Sequence, residues 1–222
     1  MNKVPESTAT LYSSGSLFLL AQKAAERSKK DRRESIVAII LSAICLEAFI
    51  NEFEDMLSRY ISEEDPVSLK TLKHFLRDLE EGKASIKTKV KTVLYILTQD
   101  IPKKGGLPYQ DFSFLIDLRN HLVHRKAEKF VWDLGKPDKE YDHHKFVKYL
   151  SSRKVIKTPK PSQPPSWSQY IICQEISYWA CDTVKAMVNE IVTVVPKTTF
   201  YEILNFQSQW RNESNKALAA DS

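Results

Sequence analysis

Only five of the 222 residues are glycine, and that scarcity constrains the fold more than any other feature. A chain rich in tight β-turns needs many positions that tolerate a positive φ, which glycine supplies at least steric cost. This sequence instead repeats apolar residues at intervals of three and four, the spacing of helices that bury one face. The expected fold class is all-α: an antiparallel helical bundle interrupted by one loop-rich stretch.

The spacing predicts helices over residues 11–29, 33–61, 66–82, 85–98, 109–125, 167–194 and 199–210. Ser13 to Ser16 weaken the start of the first. The second carries Ile36, Ile40, Ile44, Ile50, Phe53 and Leu57 on its apolar side. Pro66 suits a first helical turn, and Gly82 suits a stop. Residues 127–166 break the pattern with Gly135, Pro137, Pro159, Pro161, Pro164 and Pro165. Within this insertion, residues 130–134, 146–150 and 154–157 read as short strands. A chain of this length buries a substantial core without staples, so residues 1–222 are expected to form one domain with one insertion.

Cys45, Cys173 and Cys181 lie in apolar helical surroundings and read as buried, reduced thiols of a cytoplasmic protein. No Cys/His spacing suits zinc; His143 and His144 beside Asp142 read as a polar loop more readily than a metal site. The apolar run at residues 36–50 is short for a membrane span and contains Glu47, so a core helix is expected and no membrane partner.

The chemistry concentrates in Arg119-Asn120-His121-Leu122-Val123-His124. A fixed cation and a titratable imidazole suit a phosphodiester: one holds the anionic phosphate, the other moves a proton. On a helix turning about 100° per residue, Phe112, Leu115, Ile116, Leu122 and Val123 form an apolar stripe with Arg119 in its middle. A buried charge without a partner is costly. Glu47 presents the same anomaly among Ile40, Ala43, Ile44 and Ile50, so a Glu47–Arg119 ion pair between packed helices is expected, as a structural link, as a device that positions Arg119, or as both. His124 falls about 140° around the helix from Arg119. The imidazole can meet the guanidinium only through the length of the arginine arm, or through a second chain that presents the same pair opposite, so one copy of the motif reads as geometrically incomplete. Asn120 shares a face with His124 and is placed to orient the imidazole or hold a phosphate oxygen. His121 shares a face with Asp117 and Arg125 and reads as a solvated, helix-end histidine.

These residues resemble the R-x4-6-H signature of HEPN domains, and the helix containing Leu46-Glu47-Ala48-Phe49-Ile50-Asn51 is similar to early helices of that superfamily. The resemblance spans roughly residues 11–125 and the helix from Trp167. It implies an all-α, HEPN-like bundle, a homodimer, and a metal-independent endoribonuclease needing no cofactor, with two motifs facing each other across the dimer. Arg119, His124, Asn120 and Glu47 would then form the catalytic set. The resemblance also implies a toxin, stress or phage-defence effector, with an antitoxin or regulatory protein as a further partner. Some members lack activity, so a binding module for RNA, nucleotide or protein is the alternative.

Charge placement suits an RNA partner. Residues 119–160 carry twelve Lys or Arg against five Asp or Glu, and 145–160 carry six cations and no acid. Arg125, Lys126, Lys145, Lys148, Arg153 and Lys154 are the expected contacts to a phosphate backbone.

Overall fold

In the computed structural model, residues 11–101, 106–124, 144–157 and 167–212 are described. Among them every regular element is helical. The α-helices are α1 (Ser14–Arg27), α2 (Glu34–Tyr60), α3 (Val67–Glu81), α4 (Ile86–Thr98), α5 (Tyr109–Val123), α6 (Lys145–Ser152), α7 (Trp167–Ile171), α8 (Gln174–Val194) and α9 (Thr199–Gln207), followed by a 3-10 turn at Gln209–Asn212.

α2 organises the molecule. It packs against α1, α3, α4, α5, α8 and α9, and Ala38, Ile39, Ala43, Leu46, Ile50 and Phe53 are fully buried. Its composition explains this role, since a helix apolar nearly all round has more than one face to bury. By length and composition alone α2 could cross a membrane, yet half of its most apolar window is buried inside the fold. The expected side of α2 needs correction: Ile40 is half-buried and Ile44 is exposed. Ile39 and Leu46 take the deep positions because α1 and α8 pack on that flank.

The serines at the start of α1 do not delay the helix beyond Ser14. Glu52, reaching over from α2, accepts the Ser13 and Ser14 amides at 2.5 and 2.9 Å and the Ser14 hydroxyl at 2.5 Å. A carboxylate at these amides satisfies orphan donors and complements the helix dipole. Gly15 lets Trp210 approach, since a Cβ there would sit 3.0 Å from the indole ring.

Ser85 caps α4 by accepting the Thr88 amide at 3.2 Å, and Thr198 caps α9 through the Tyr201 amide at 3.5 Å. After α3 the left-handed position falls on Lys83 (φ 53°), one residue past Gly82 (φ −77°). Lys89 pins α4 to its neighbours. It is 3% exposed, and its ammonium meets Asn51 Oδ1 at 3.3 Å, Glu54 at 3.6 Å, and Glu80. Burial raises the Glu54 carboxyl above its ordinary range, and Lys89 opposes that rise.

Two expectations fail on the C-terminal side. Residues 146–150 are helical, inside α6, and 154–157 follow in turns and bends, so neither is a strand. A short apolar run has no periodicity long enough to separate strand from helix. Phe146, Val147 and Leu150 share one buried face of α6, which only the helical spacing achieves. The expected strand at 130–134 lies outside the described residues. The expected helix over 167–194 is also divided. Cys173 is extended (φ −149°, ψ 158°), so Trp167 of α7 can dock on α6 while α8 runs along α2. Cys45 and Cys181 are buried free thiols and Cys173 is half-buried.

Candidate functional site

The site is built where α5 ends against α2 and α6. Phe112, Leu115, Ile116 and Leu118 hold α5 in the core. Leu118 is fully buried and Val123 is 51% exposed, so the apolar face is rotated from the predicted stripe. That rotation brings Arg119 to the edge of the core.

Arg119 and Glu47 form an ion pair through a guanidinium terminal nitrogen and Glu47 Oε1, with side chains 18% and 35% exposed. Two charges placed on apolar helices have found each other. The pair is boundary-placed, so water still screens it in part. Arg119 Nε is buried and has no acceptor.

α5 stops at Val123. His124 is its C-cap (φ −106°, ψ 33°), donating its backbone amide to the Asn120 carbonyl at 2.9 Å. The imidazole is exposed, as is Asn120, and neither side chain has a hydrogen-bond partner among the described residues. The expected helical extension through Arg125, and Arg125 and Lys126 themselves, fall outside the described residues.

His121 is more constrained than its sequence position implies. Its Nδ1 lies 3.2 Å from the Asp117 carbonyl oxygen. Its ring meets Phe146 edge-on at 4.8 Å and His144 at 5.9 Å. His144 stacks on Trp167 at 4.9 Å and caps α6 by accepting the Phe146 amide at 3.4 Å. Asp117 is occupied by Lys87, 2.7 Å away.

The cations of α6 divide. Lys145 is exposed and its ammonium lies 5.1 Å from the Phe146 ring centroid. Lys148 and Lys154 are exposed. Arg153 is paired with Asp111, through Nη2 at 3.0 Å and Nε at 3.2 Å. Tyr149 donates to the same carboxylate at 2.5 Å and stacks on Phe114 at 3.7 Å. Burial, reinforced by Asp111, pushes the Tyr149 hydroxyl well up; the Asp111 hydrogen bond raises Arg153. Arg153 thus fastens α6 to α5. Sequence reasoning missed Asp111, whose signal was an acid in a helix's first turn, a feature with a simpler explanation in the helix dipole.

No three His, Cys, Asp or Glu residues among the described ones group as metal ligands. A groove of about 470 Å³ between α5, α8 and the end of α6 is lined by Asp111, Arg153, Trp179 and Asp182, and by neither Arg119 nor His124. Burial raises the Asp182 carboxyl there. Compared with protein-family models, curated proteins and solved structures, the chain finds no match.

Proposed function

We propose that this protein is an endoribonuclease of HEPN type, acting on RNA phosphodiesters by attack of the ribose 2′-hydroxyl. The observation that carries the reading is the placement of Arg119. It sits 18% exposed at the core boundary, with one nitrogen held by Glu47, on the helix whose exposed end carries His124. A guanidinium has five donors in a fixed fork, so the Glu47 contact orients Arg119 and leaves it capacity for a phosphate oxygen. Arg119 stabilises charge on the phosphate; His124 moves the proton. Products are a 2′,3′-cyclic phosphate and a 5′-hydroxyl, and DNA resists for want of the 2′-hydroxyl.

The active form in this reading is a homodimer. Arg119 and His124 are about 7.5 Å apart along α5 and about 140° around it, which suits a site completed by a second copy. Val37, Leu41, Ile44 and Ala48 follow a four-three-four spacing along α2, half-buried or exposed, beside Glu47. Such a strip suits a helix-packing seam. Lys145, Lys148 and Lys154 supply positive charge for the RNA backbone. A cytoplasmic effector restrained by an antitoxin or regulatory protein is the biological setting that fits. The second reading, a binding module without catalysis, is favoured by one fact: the Glu47 contact already gives Arg119 a structural occupation.

The test is cleavage of RNA by purified protein in EDTA, beside Arg119→Ala and His124→Ala. Activity in the wild type, lost in both variants, with cyclic-phosphate ends, supports the nuclease. A folded wild type that cleaves no RNA sinks it in favour of the binding module. A monomer in solution at active concentrations removes the composite site.

A further inference from the structure

Of the two imidazoles at the end of α5, the one that sequence reasoning set aside is the better organised. The partner of His121 Nδ1 is a carbonyl oxygen, the Asp117 oxygen at 3.2 Å. A carbonyl only accepts, so Nδ1 carries the proton in this contact and Nε2 keeps its lone pair. Phe146 and His144 wall the ring, edge-on at 4.8 and 5.9 Å, while its exposure leaves an open approach. His124 is exposed at the helix terminus and has no side-chain partner among the described residues. Three residues apart on a helix, the two side chains are neighbours, about 5–6 Å between Cβ atoms. A fixed acceptor nitrogen thus stands beside a solvent-exposed imidazole.

We infer that His121 is a second proton-transfer residue, acting as the base while His124 acts as the acid within one protomer. The inference rests on the ribonuclease reading above. His121 Nε2 takes the proton of the 2′-hydroxyl. The 2′-oxygen forms its bond to phosphorus as the bond from phosphorus to the 5′-oxygen breaks. The imidazolium of His124 gives its proton to that leaving oxygen, and water resets both rings. Among the described residues, the charged and titratable groups around His121 are Asp117, which Lys87 of α4 neutralises at 2.7 Å, His124 at the end of its own helix, His144 at the N-cap of α6, and Lys145 beyond the Phe146 ring. The ammonium of Lys145 lies beside the same Phe146 ring that His121 meets edge-on.

The experiment is the pH–rate profile of RNA cleavage by the full chain in EDTA, for wild type, His121→Gln and His124→Gln. A second substrate carries sulfur in place of the 5′-bridging oxygen at the cleaved linkage, a leaving group that needs no acid. His121→Gln is expected to lose about 10²–10⁴-fold in rate and the limb that rises with pH, with both losses persisting on the thio substrate. His124→Gln is expected to lose the falling limb and to regain most of its rate on the thio substrate. His121→Gln cleaving within about threefold of wild type overturns the inference while leaving the nuclease intact. So does a slower His121→Gln that keeps both limbs, or one that the thio substrate rescues. A wild type without cleavage overturns both readings together.

Discussion

Replacing Glu47 by glutamine should destabilise the protein by about 1–2 kcal/mol, a figure set by how the ion pair is buried. Exposed pairs contribute about 0.2–1 kcal/mol, and breaking a buried pair costs about 3–5 kcal/mol because it strands a charge. Arg119 is 18% exposed and Glu47 35%, which puts the pair between those limits. Water reaches the carboxylate and screens the orphaned guanidinium in part. Arg119 Nε already lacks an acceptor, so the group has little alternative pairing close by. For a chain of this size the midpoint of thermal unfolding should fall by about 2–8 °C. The sharper assay is a double-mutant cycle by urea unfolding at one protein concentration, with Glu47→Gln, Arg119→Met and the pair together. The double variant should be less destabilised than the sum of the singles by about 1 kcal/mol or more, because no charge is left stranded. Additivity within about 0.5 kcal/mol would refute the claim that Glu47 and Arg119 act as a unit. It would also remove the argument that Glu47 orients Arg119 toward a phosphate.

Lys89→Met should cost about 2–4 kcal/mol in urea unfolding, since Glu54 and Glu80 lose the ammonium between them; adding Glu54→Gln should recover part of that loss, and a neutral single variant would count against the node. Tyr12 is raised from 10.0 to about 12, first by burial and then by Asp55. A group that holds its proton more tightly when folded contributes stability below its unfolded pKa and loses it as pH rises, so the protein should weaken between about pH 10 and 12. Tyr12→Phe should flatten that stretch of the stability curve, and an unchanged curve would contradict the linkage. Burial pushes Cys173 and Cys181 up to about 11 and Cys45 higher still. A thiol reagent at neutral pH should therefore react first with half-buried Cys173 and slowly with the others; fast labelling of all three in the native protein would argue against this core.

Much of the helical order was legible because apolar periodicity is a short-range signal. α2, α3, α4 and α9 begin within a residue of their expected starts. The Glu47–Arg119 contact was legible too, since two opposite charges on apolar helices each needed a partner. The strand expectation at 146–150 failed because a run that short fits either geometry, and the buried face of α6 emerges only once α5 and α7 are there to cover it. The start of α1 was undervalued for a similar reason, because its cap comes from Glu52, thirty-eight residues beyond Ser14.

The sequence by itself therefore determined a mainly helical fold, the course of most helices, and a motif in which a cation and an imidazole share one helix end. Local spacing suffices for these, because helical hydrogen bonds and side-chain faces repeat within a few residues. Only the tertiary structure decided which flank of apolar α2 is deep, where the chain breaks between α7 and α8, and that Arg153 fastens α6 to α5. It also decided that His144 and Phe146 close around His121. Those outcomes depend on which distant surfaces meet, and the pattern along a single helix does not encode its neighbours.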